Sequence, residues 1–511
     1  MRFLFKRNFL LLLIILLAGV LRFYHLGSDP ASLNWDEAAI GWNAKTIWET
    51  RLDEYGTHLP WSFKSFGDYK APVYIYLTAP FVGLLGANPI SVRLVSVLAG
   101  IASVYLIYLI TNALLLNSGL RTPYTAPLAA LLMAITPWQV ILSRPAFEAN
   151  LALMFVLSGT YLFLKSLTKP KYYLFSVLSF VLSFYTYHSP KIFVPVFLLG
   201  IIFIFRRQIF VKKNSYWLIG SVTLGLLLLI PLIKEIVFQK GANRFESTSI
   251  FYEKDQPLPL KFSLINQAFK NYIIHYSPAY LFSGSSLMPQ LQLKTVGPLL
   301  LIEAPFLLMG LIYLLKKRSA TWSKLLFWWL IVGPIPAMIG RDVPHPLRSD
   351  NVLPALIIIT AIGLVYFLRL LKSQLRTLVV ILFIVNLAYF LYHYFVVYPV
   401  YSAPVWQYGY QLAADFARQQ ENQVNKIIIT STYGQPYIFT YFYQDRKAAS
   451  VFWGAMSKYL FRNINWPEDS QKSNVLIIGS PEEIPADAVG IIKVINFPDG
   501  QPAFRIVKTP L

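Results

Sequence analysis

The sequence predicts an α-helical polytopic membrane protein with a small α/β domain at its C-terminus. Three observations support this fold class. Hydrophobic residues make up 56% of the 511 residues and charged residues only 14%, against roughly 25% charged residues in soluble domains. Eleven apolar runs are long enough, alone or with interfacial residues, to cross ~30 Å of hydrocarbon. Beyond residue 400 the composition returns to that of a soluble domain.

The predicted spans all lie before residue 400. The first follows basic residues, as in a signal peptide, but no small-residue cleavage site comes after it, so we interpret it as a retained signal anchor. A further apolar run, 72–87, has only 16 residues and contains Pro80. We predict that this run stays at the outer face as a re-entrant or membrane-associated segment. The eleven spans are placed near 9–26, 90–116, 124–142, 150–168, 172–188, 190–205, 215–233, 296–315, 323–340, 352–371 and 376–398.

Basic residues predict the orientation in the membrane. The net charge is +21, and six short connecting segments hold 18 basic residues and no acidic one. The positive-inside rule places these segments in the cytoplasm, which puts the N-terminus inside and the C-terminus outside a plasma membrane. Because the basic residues are concentrated in the loops that the positive-inside rule assigns to the cytoplasm, the net charge is explained by membrane orientation, and nucleic acid is not predicted as a partner. The chain has no cysteine, which excludes disulfides and cysteine-based metal sites.

Three large pieces lie on the predicted outer side. They are a first loop, 27–89, which we predict to be catalytic, a second loop, 234–295, and a tail, 400–511. Residues 1–399 would form a transmembrane catalytic module, and 400–511 an extracytoplasmic α/β domain. In the tail, alternating apolar residues predict strands at Lys426–Thr432, Val475–Gly479 and Gly490–Phe497, after an amphipathic helix around 404–421.

The first outer loop holds the most informative motif. Asn34-Trp35-Asp36-Glu37 begins a predicted helix, with Asn34 as the N-cap and Glu37 at the third helical position. One interpretation is a capping box, in which the acidic residues suit the helix dipole. The other is a general base held at the membrane interface. The two are compatible, since capping can use one carboxylate while the other points elsewhere.

Further charged residues fall at the same predicted outer level. Charges near a membrane are expensive and are functional candidates by default. Each also has a structural interpretation, such as snorkelling for Lys70 or interfacial packing for His188. As a set they indicate an outward-facing polar site for an anionic, membrane-embedded ligand. The set comprises Asp68, Lys70, Arg93, Arg144, Glu148, His188, Arg341, His345 and Arg348.

The ordered motifs resemble the GT-C membrane glycosyltransferases. The specific resemblance is to the protein O-mannosyltransferase and aminoarabinose-transferase superfamily, in its bacterial, family-39-like form related to dolichyl-phosphate-mannose-protein mannosyltransferases. It covers roughly residues 1–400. The matching motifs are Asp36-Glu37, Asp68-Tyr69-Lys70-Ala71-Pro72, Ser91-Val92-Arg93-Leu94, Pro137-Trp138 with Ser143-Arg144 and Glu148, and Pro344-His345-Pro346-Leu347-Arg348 with Pro354.

This resemblance implies a GT-C fold and a reaction. An inverting transfer would move a monosaccharide from a polyprenyl-phosphate-linked donor to an acceptor hydroxyl or phosphate at the outer face. Asp36 would be the catalytic base, with Glu37 beside it and Glu148 as a further acidic catalytic position. The donor phosphate would be held by Lys70, Arg93, Arg144 and Arg348, and the substrate site would also include Asp68, His188 and His345.

The resemblance also bears on cofactors and partners. Tyr69 stands where the aminoarabinose branch has a glutamate that contributes to a metal site, which disfavours a divalent metal, and no cofactor is predicted to be required. The predicted partners are a polyprenyl-phosphate sugar, membrane lipids, and a glycan, lipid or protein acceptor. Two other enzyme or transport classes stay open. One is a secondary transporter or flippase, which the midspan Glu303 would suit, and the other is a ligase or polymerase that uses a diphosphate-linked oligosaccharide. A non-catalytic membrane partner is a third alternative.

Overall fold

The computed structural model describes residues 2–115, 124–238, 248–253, 256–259, 261–284, 288–452 and 454–510. Within these residues the chain is mostly helical, with a mixed β-sheet near its C-terminus. The chain divides into two compact units. The first contains residues 1–24, 64–73 and 96–393, and the second contains residues 25–63, 74–95 and 394–511. Most of the first outer loop therefore belongs to the same unit as the tail.

Helices dominate the chain up to residue 420, and the larger sheet follows them. The helices in the first half are α1 (Arg2–Phe23), α2 (Trp35–Thr50), α3 (Pro72–Leu85), α4 (Pro89–Leu114), α5 (Thr125–Ile135), α6 (Pro137–Ser143), α7 (Glu148–Ser166), α8 (Tyr172–Phe184), α9 (Ser189–Ile209) and α10 (Ser215–Phe238). Those that follow are α11 (Phe262–Ile274), α12 (Pro278–Ser283), α13 (Ala304–Lys316), α14 (Thr321–Val332), α15 (Ile335–Met338), α16 (Leu353–Leu370), α17 (Ser373–Tyr392), α18 (Tyr398–Ser402), α19 (Tyr410–Gln420), α20 (Pro436–Tyr443), α21 (Ala448–Phe452) and α22 (Trp466–Asp469). The strands are β1 (Phe63–Ser65), β2 (Asp68–Lys70), β3 (Tyr252–Glu253), β4 (Gln256–Pro257), β5 (Lys426–Ile429), β6 (Tyr459–Phe461), β7 (Val475–Gly479), β8 (Ile491–Asn496) and β9 (Pro502–Lys508).

Every predicted span contains a helix, but the helices differ in length. Among the described residues, six helices are long and apolar enough to cross a membrane, or seven when the bent pair α5 and α6 counts as one span. The protein is therefore a multi-pass membrane protein, while the number of eleven spans stays a prediction. The run at 72–87 forms α3, which has 14 residues and is shorter than the roughly 20 residues that a span needs.

Prolines explain where several spans are shortened or bent. Thr136 is extended, with φ −62° and ψ 133°, because Pro137 disfavours a helical conformation in the residue before it. The axes of α5 and α6 consequently differ by 55°. α13 begins only at Ala304, and Pro305 occupies its first turn, where the missing N–H costs no hydrogen bond.

The core of the first unit contains α16. All residues from 353 to 365 of this helix are buried, so it is apolar on every side, as expected of a helix enclosed by others. α5 and α13 pack against it. Arg348 lies on the segment that precedes α16.

The tail of the second unit forms a five-stranded mixed sheet of order β6-β5-β7-β9-β8. β5 runs parallel to β6 and β7, while β9 is antiparallel to β7 and β8. All five residues of β7 are buried, as in a strand covered on both faces. The three predicted strands are present, with ends shifted by at most three residues, and the amphipathic helix corresponds to α19. The placement of this tail outside the membrane stays a prediction.

Candidate active site

The start of α2 forms the predicted capping box. The Asn34 side chain accepts a hydrogen bond from the Glu37 backbone N–H at 2.9 Å, and Glu37 Oε2 accepts one from the Asn34 N–H at 3.2 Å. Asn34 has extended geometry, with φ −84° and ψ 172°, as an N-cap residue requires. The local spacing of Asn34 and Glu37 alone was enough to predict this arrangement.

Glu37 also forms a buried ion pair with Arg93 of α4. Arg93 Nε lies 3.0 Å from Glu37 Oε1, and Arg93 Nη2 lies 3.2 Å from Glu37 Oε2. The two side chains are 0% and 1% exposed. Such a two-point contact fixes the carboxylate in orientation as well as in position.

The remaining donors of Arg93 bind the loop that precedes α2. Nη1 donates to the carbonyl oxygens of Leu26 at 2.9 Å and Pro30 at 3.3 Å, and Nη2 donates to that of Ser32 at 2.6 Å. A guanidinium has five N–H groups, and these contacts use all five. The geometry favours a positioning role for Arg93, in which it holds the loop and Glu37, in place of the predicted contact with the donor phosphate.

Asp36 differs from its neighbour Glu37 in exposure. It is partly exposed, whereas Glu37 is buried. It occupies the second position of α2, where the helix dipole stabilises a negative charge. Glu37 serves both the cap and the ion pair, so Asp36 is the more accessible carboxylate of the two, and its catalytic role stays a prediction.

Residues of the tail hold the start of α2 in place. The backbone N–H of Trp35 donates to Gln407 Oε1 at 2.8 Å. The Trp35 ring lies against Gly434, where a Cβ atom would come within 2.2 Å of it. A Cβ on Gly41, after the first turn of α2, would come within 2.4 Å of the Phe442 ring. No local pattern indicates these contacts, because their partners lie hundreds of residues apart.

Asp68 and Lys70 lie on β2 in the first unit, in the hairpin that β1 and β2 form. The turn consists of Phe66 and Gly67, both with positive φ of 52° and 82°, as two-residue hairpin turns favour. Asp68 and Lys70 are two residues apart, so they share one face of the strand. Both side chains are partly buried.

Lys191, at the start of α9, is a charged residue that the sequence reasoning did not single out. It interacts electrostatically with Glu235 of α10 and with Asp68. His188 immediately precedes α9, is partly exposed, and packs its ring 6.0 Å from that of Tyr187. The first unit therefore brings Asp68 into a cluster of opposite charges near one predicted site histidine.

Arg144 is fully buried at the end of α6. Its Nη1 donates to the carbonyl oxygens of Leu21 at 2.8 Å and Arg22 at 3.2 Å, at the C-terminal end of α1. Arg22 is also fully buried and donates through Nη1 to Ala18 and Ala134. Its Nε and Nη2 have no hydrogen-bond partner among the described residues. The burial of Arg22 was not predicted, because a single arginine at the end of an apolar run usually anchors a span at the membrane interface.

Glu148 is the first residue of α7 and is partly exposed. The start of α7 is fixed by Asn150, whose Nδ2 donates to the Ser96 carbonyl at 2.7 Å and whose Oδ1 accepts from Gln139 at 2.8 Å. A carboxylate in a first helical turn is favoured by the dipole. Its position is thus well supported, and its catalytic role stays a prediction.

His345 and Arg348 lie on the segment before α16. The His345 backbone N–H donates to Nε2 of the buried His275 at 3.1 Å, and His275 Nδ1 contacts the Asn271 carbonyl at 2.7 Å. These contacts require neutral His275 with its proton on Nδ1, and burial lowers its pKa to about 4. The Arg348 guanidinium packs against Gly340.

The two units divide the predicted site residues between them. Asp36, Glu37 and Arg93 belong to the second unit, where Glu37 and Arg93 form the buried pair beside Asp36. The others belong to the first unit. No group of three or more histidine and acidic side chains suited to a metal ion occurs among the described residues. The residues of the first unit are Asp68, Lys70, Arg144, Glu148, His188, His345 and Arg348.

The chain is similar to several known proteins. The model of a family described as dolichyl-phosphate-mannose-protein mannosyltransferase matches residues 69–234. The crystal structure of ArnT from Cupriavidus metallidurans in the apo state superposes with a TM-score of 0.59 at 11% identity, over 97% of this chain and 97% of that chain. The chain therefore shares the fold of ArnT, and part of it matches the mannosyltransferase family model, in agreement with the predicted resemblance to the GT-C membrane glycosyltransferases. The predicted resemblance is confirmed at that level.

Two further structures share this fold. ArnT from Cupriavidus metallidurans bound to undecaprenyl phosphate gives a TM-score of 0.54 at 11% identity, over 97% of both chains. The archaeal oligosaccharyltransferase AglB from Archaeoglobus fulgidus, in complex with an inhibitory peptide and a dolichol-phosphate, gives 0.53 at 14% identity, over 93% of this chain and 69% of that chain. No curated protein matches the sequence.

Proposed function

We propose that this protein is a GT-C glycosyltransferase that transfers a monosaccharide, with inversion, from a polyprenyl-phosphate-linked donor to an acceptor hydroxyl or phosphate at the outer face of the plasma membrane. The observation that carries the proposal is that Asp36 and Glu37 have different environments. Glu37 is held in the cap and the ion pair, and Asp36 remains partly exposed at the helix N-terminus.

Asp36 would act as the general base. It would take the proton of the acceptor hydroxyl as that oxygen attacks the anomeric carbon, and the bond to the lipid phosphate would break on the opposite side. A positioned base typically accelerates such a step by about 10²–10⁴-fold. The departing phosphate gains negative charge, so it needs nearby cations rather than a general acid. Lys70, Arg144 and Arg348 remain the proposed donor-phosphate ligands.

Support for a lipid-phosphate donor comes from the similar structures with undecaprenyl phosphate and dolichol-phosphate. The eleven-span topology, with the tail and the first loop outside, is part of the proposal. Similarity to an oligosaccharyltransferase favours a second candidate, transfer of an oligosaccharide from a lipid-linked donor. The nature of the donor distinguishes the two candidates.

Donor turnover in proteoliposomes tests the proposal. Purified protein would be supplied with a panel of polyprenyl-monophosphate sugars and with polyprenyl-diphosphate oligosaccharides, together with glycan, lipid and peptide acceptors. Release of free polyprenyl phosphate from one monophosphate donor, coupled to glycosylation of an acceptor, would support monosaccharide transfer. Release from diphosphate donors alone would support the oligosaccharide candidate. Movement of an intact lipid across the bilayer without transfer would support a flippase and contradict both.

A further inference from the structure

An apolar cavity of about 480 Å³ lies in the first unit, lined by residues of α1, α5 and α16. Ile14, Leu128, Val365 and Leu368 contribute to its wall. Ile14 and Val365 are buried, 4% and 5% exposed. The volume is within the range of roughly 300–1,000 Å³ that small-molecule sites occupy. A cavity of this lining excludes polar ligands from its interior and suits a hydrocarbon chain.

The cavity is bounded by cations at one side. Arg369 belongs to the last turn of α16 and Arg376 to the first turn of α17, and both line the cavity while remaining exposed. Arg376 Nε donates to the Leu371 carbonyl at 3.1 Å, which fixes the direction of its side chain. Of the described residues that line the cavity, none is acidic. Two guanidinium groups beside an apolar wall match a molecule with a phosphate group at one end and a hydrocarbon chain at the other.

The sequence predicts that this rim lies at the inner surface of the membrane. Arg369, Lys372 and Arg376 form one of the six basic segments that the positive-inside rule assigns to the cytoplasm. Basic pockets between transmembrane helices on that side bind anionic lipid head groups. The same rule assigns the proposed catalytic residues to the opposite side, so this cavity has no part in the proposed transfer.

We propose that the cavity binds an anionic phospholipid of the inner leaflet. Its phosphate lies between Arg369 and Arg376, and one acyl chain lies against Ile14 and Val365. The chemistry favours a phospholipid because the predicted topology puts the rim at the level of inner-leaflet head groups and the cavity wall is apolar. This inference rests on the topology that the proposed function includes, but not on the proposed transfer reaction.

Native mass spectrometry of delipidated protein in detergent tests the site. The probes are phosphatidylglycerol and, as the neutral comparison, phosphatidylcholine. Replacement of both rim arginines in R369Q/R376Q removes two charges from exposed positions and should weaken phosphatidylglycerol binding roughly tenfold, because each basic residue near an anionic lipid contributes to attraction. Phosphatidylcholine binding should not change.

A matched control removes two charges elsewhere on the same predicted side. Lys316 and Lys317 are exposed and do not line the cavity, so K316Q/K317Q should bind phosphatidylglycerol as the wild type does. Leu368→Trp fills the cavity without a charge change and should weaken phosphatidylglycerol binding as well. Equal loss in K316Q/K317Q, or no loss in R369Q/R376Q, would overturn the proposal. Tighter binding of polyprenyl phosphate than of phosphatidylglycerol in the wild type would also overturn it.

Discussion

Removing Arg93 should destabilise the second unit because it breaks a buried network. In Arg93→Gln the Glu37 carboxylate, 1% exposed, loses both guanidinium contacts. The carbonyl oxygens of Leu26, Pro30 and Ser32 lose their donors as well. Breaking a buried pair by removing one partner costs about 3–5 kcal/mol, so we expect a loss of stability of that size.

A double-mutant cycle separates this positioning role from direct donor binding. Glu37→Gln should destabilise to a similar degree, and the double variant should be less damaging than the sum of the single changes, by up to ~3 kcal/mol. Glu468→Gln is the control, because Glu468 is 65% exposed and pairs at 3.2 Å with Lys472, which is 38% exposed, and exposed pairs contribute only ~0–1 kcal/mol. Unfolding in detergent and donor KM are measured together. If Arg93→Gln has unchanged stability and a raised donor KM, the positioning role is refuted and direct contact of Arg93 with the donor phosphate is supported.

Two further predictions concern packing and pH. Gly41→Ala should destabilise the protein by about 1–3 kcal/mol, since its Cβ would come within 2.4 Å of the Phe442 ring. In the control Gly220→Ala the new Cβ meets nothing within 4 Å, so this variant should be neutral or stabilising. Equal effects in thermal unfolding would refute the close approach. Burial lowers the pKa of His275 from 6.5 to about 4. Below pH 6.5 the unfolded chain therefore takes up a proton at His275 while the folded protein does not. The free energy of unfolding should fall by ~3 kcal/mol as the pH is lowered from 6.5 toward 4. His275→Gln should flatten the stability profile across that window, and an unchanged profile would show that the contact with His345 is not its source.

The capping box was predictable because it depends on neighbours in sequence. Asn34 and Glu37 are three residues apart, and that spacing fixes both hydrogen bonds once a helix forms. The tail strands were predictable for a similar reason, since alternation and β-branched residues are local signals. β7, for example, has the bounds that the sequence predicted, Val475–Gly479.

The environment of Arg93 was not predictable from one sequence. Its carbonyl partners lie 61–67 residues away, and nothing in a Ser-Val-Arg-Leu motif distinguishes an arginine that binds phosphate from one that binds backbone. The contact of Gln407 with Trp35 spans 372 residues and has the same character. The bend between α5 and α6 at Thr136 was also not predicted, because hydropathy measures apolar content and not the backbone's ability to continue a helix.

The most direct test of the central claim is donor turnover by Asp36→Asn beside the wild type. Asp487→Asn is the matched control, since Asp487 is exposed in the tail. The assay uses proteoliposomes and the polyprenyl-phosphate sugar that the wild type uses. Asp36→Asn should reduce kcat by at least ~10²-fold, with donor affinity and unfolding temperature unchanged. Asp487→Asn should have no effect. Full turnover by a folded Asp36→Asn protein would show that Asp36 is not the base.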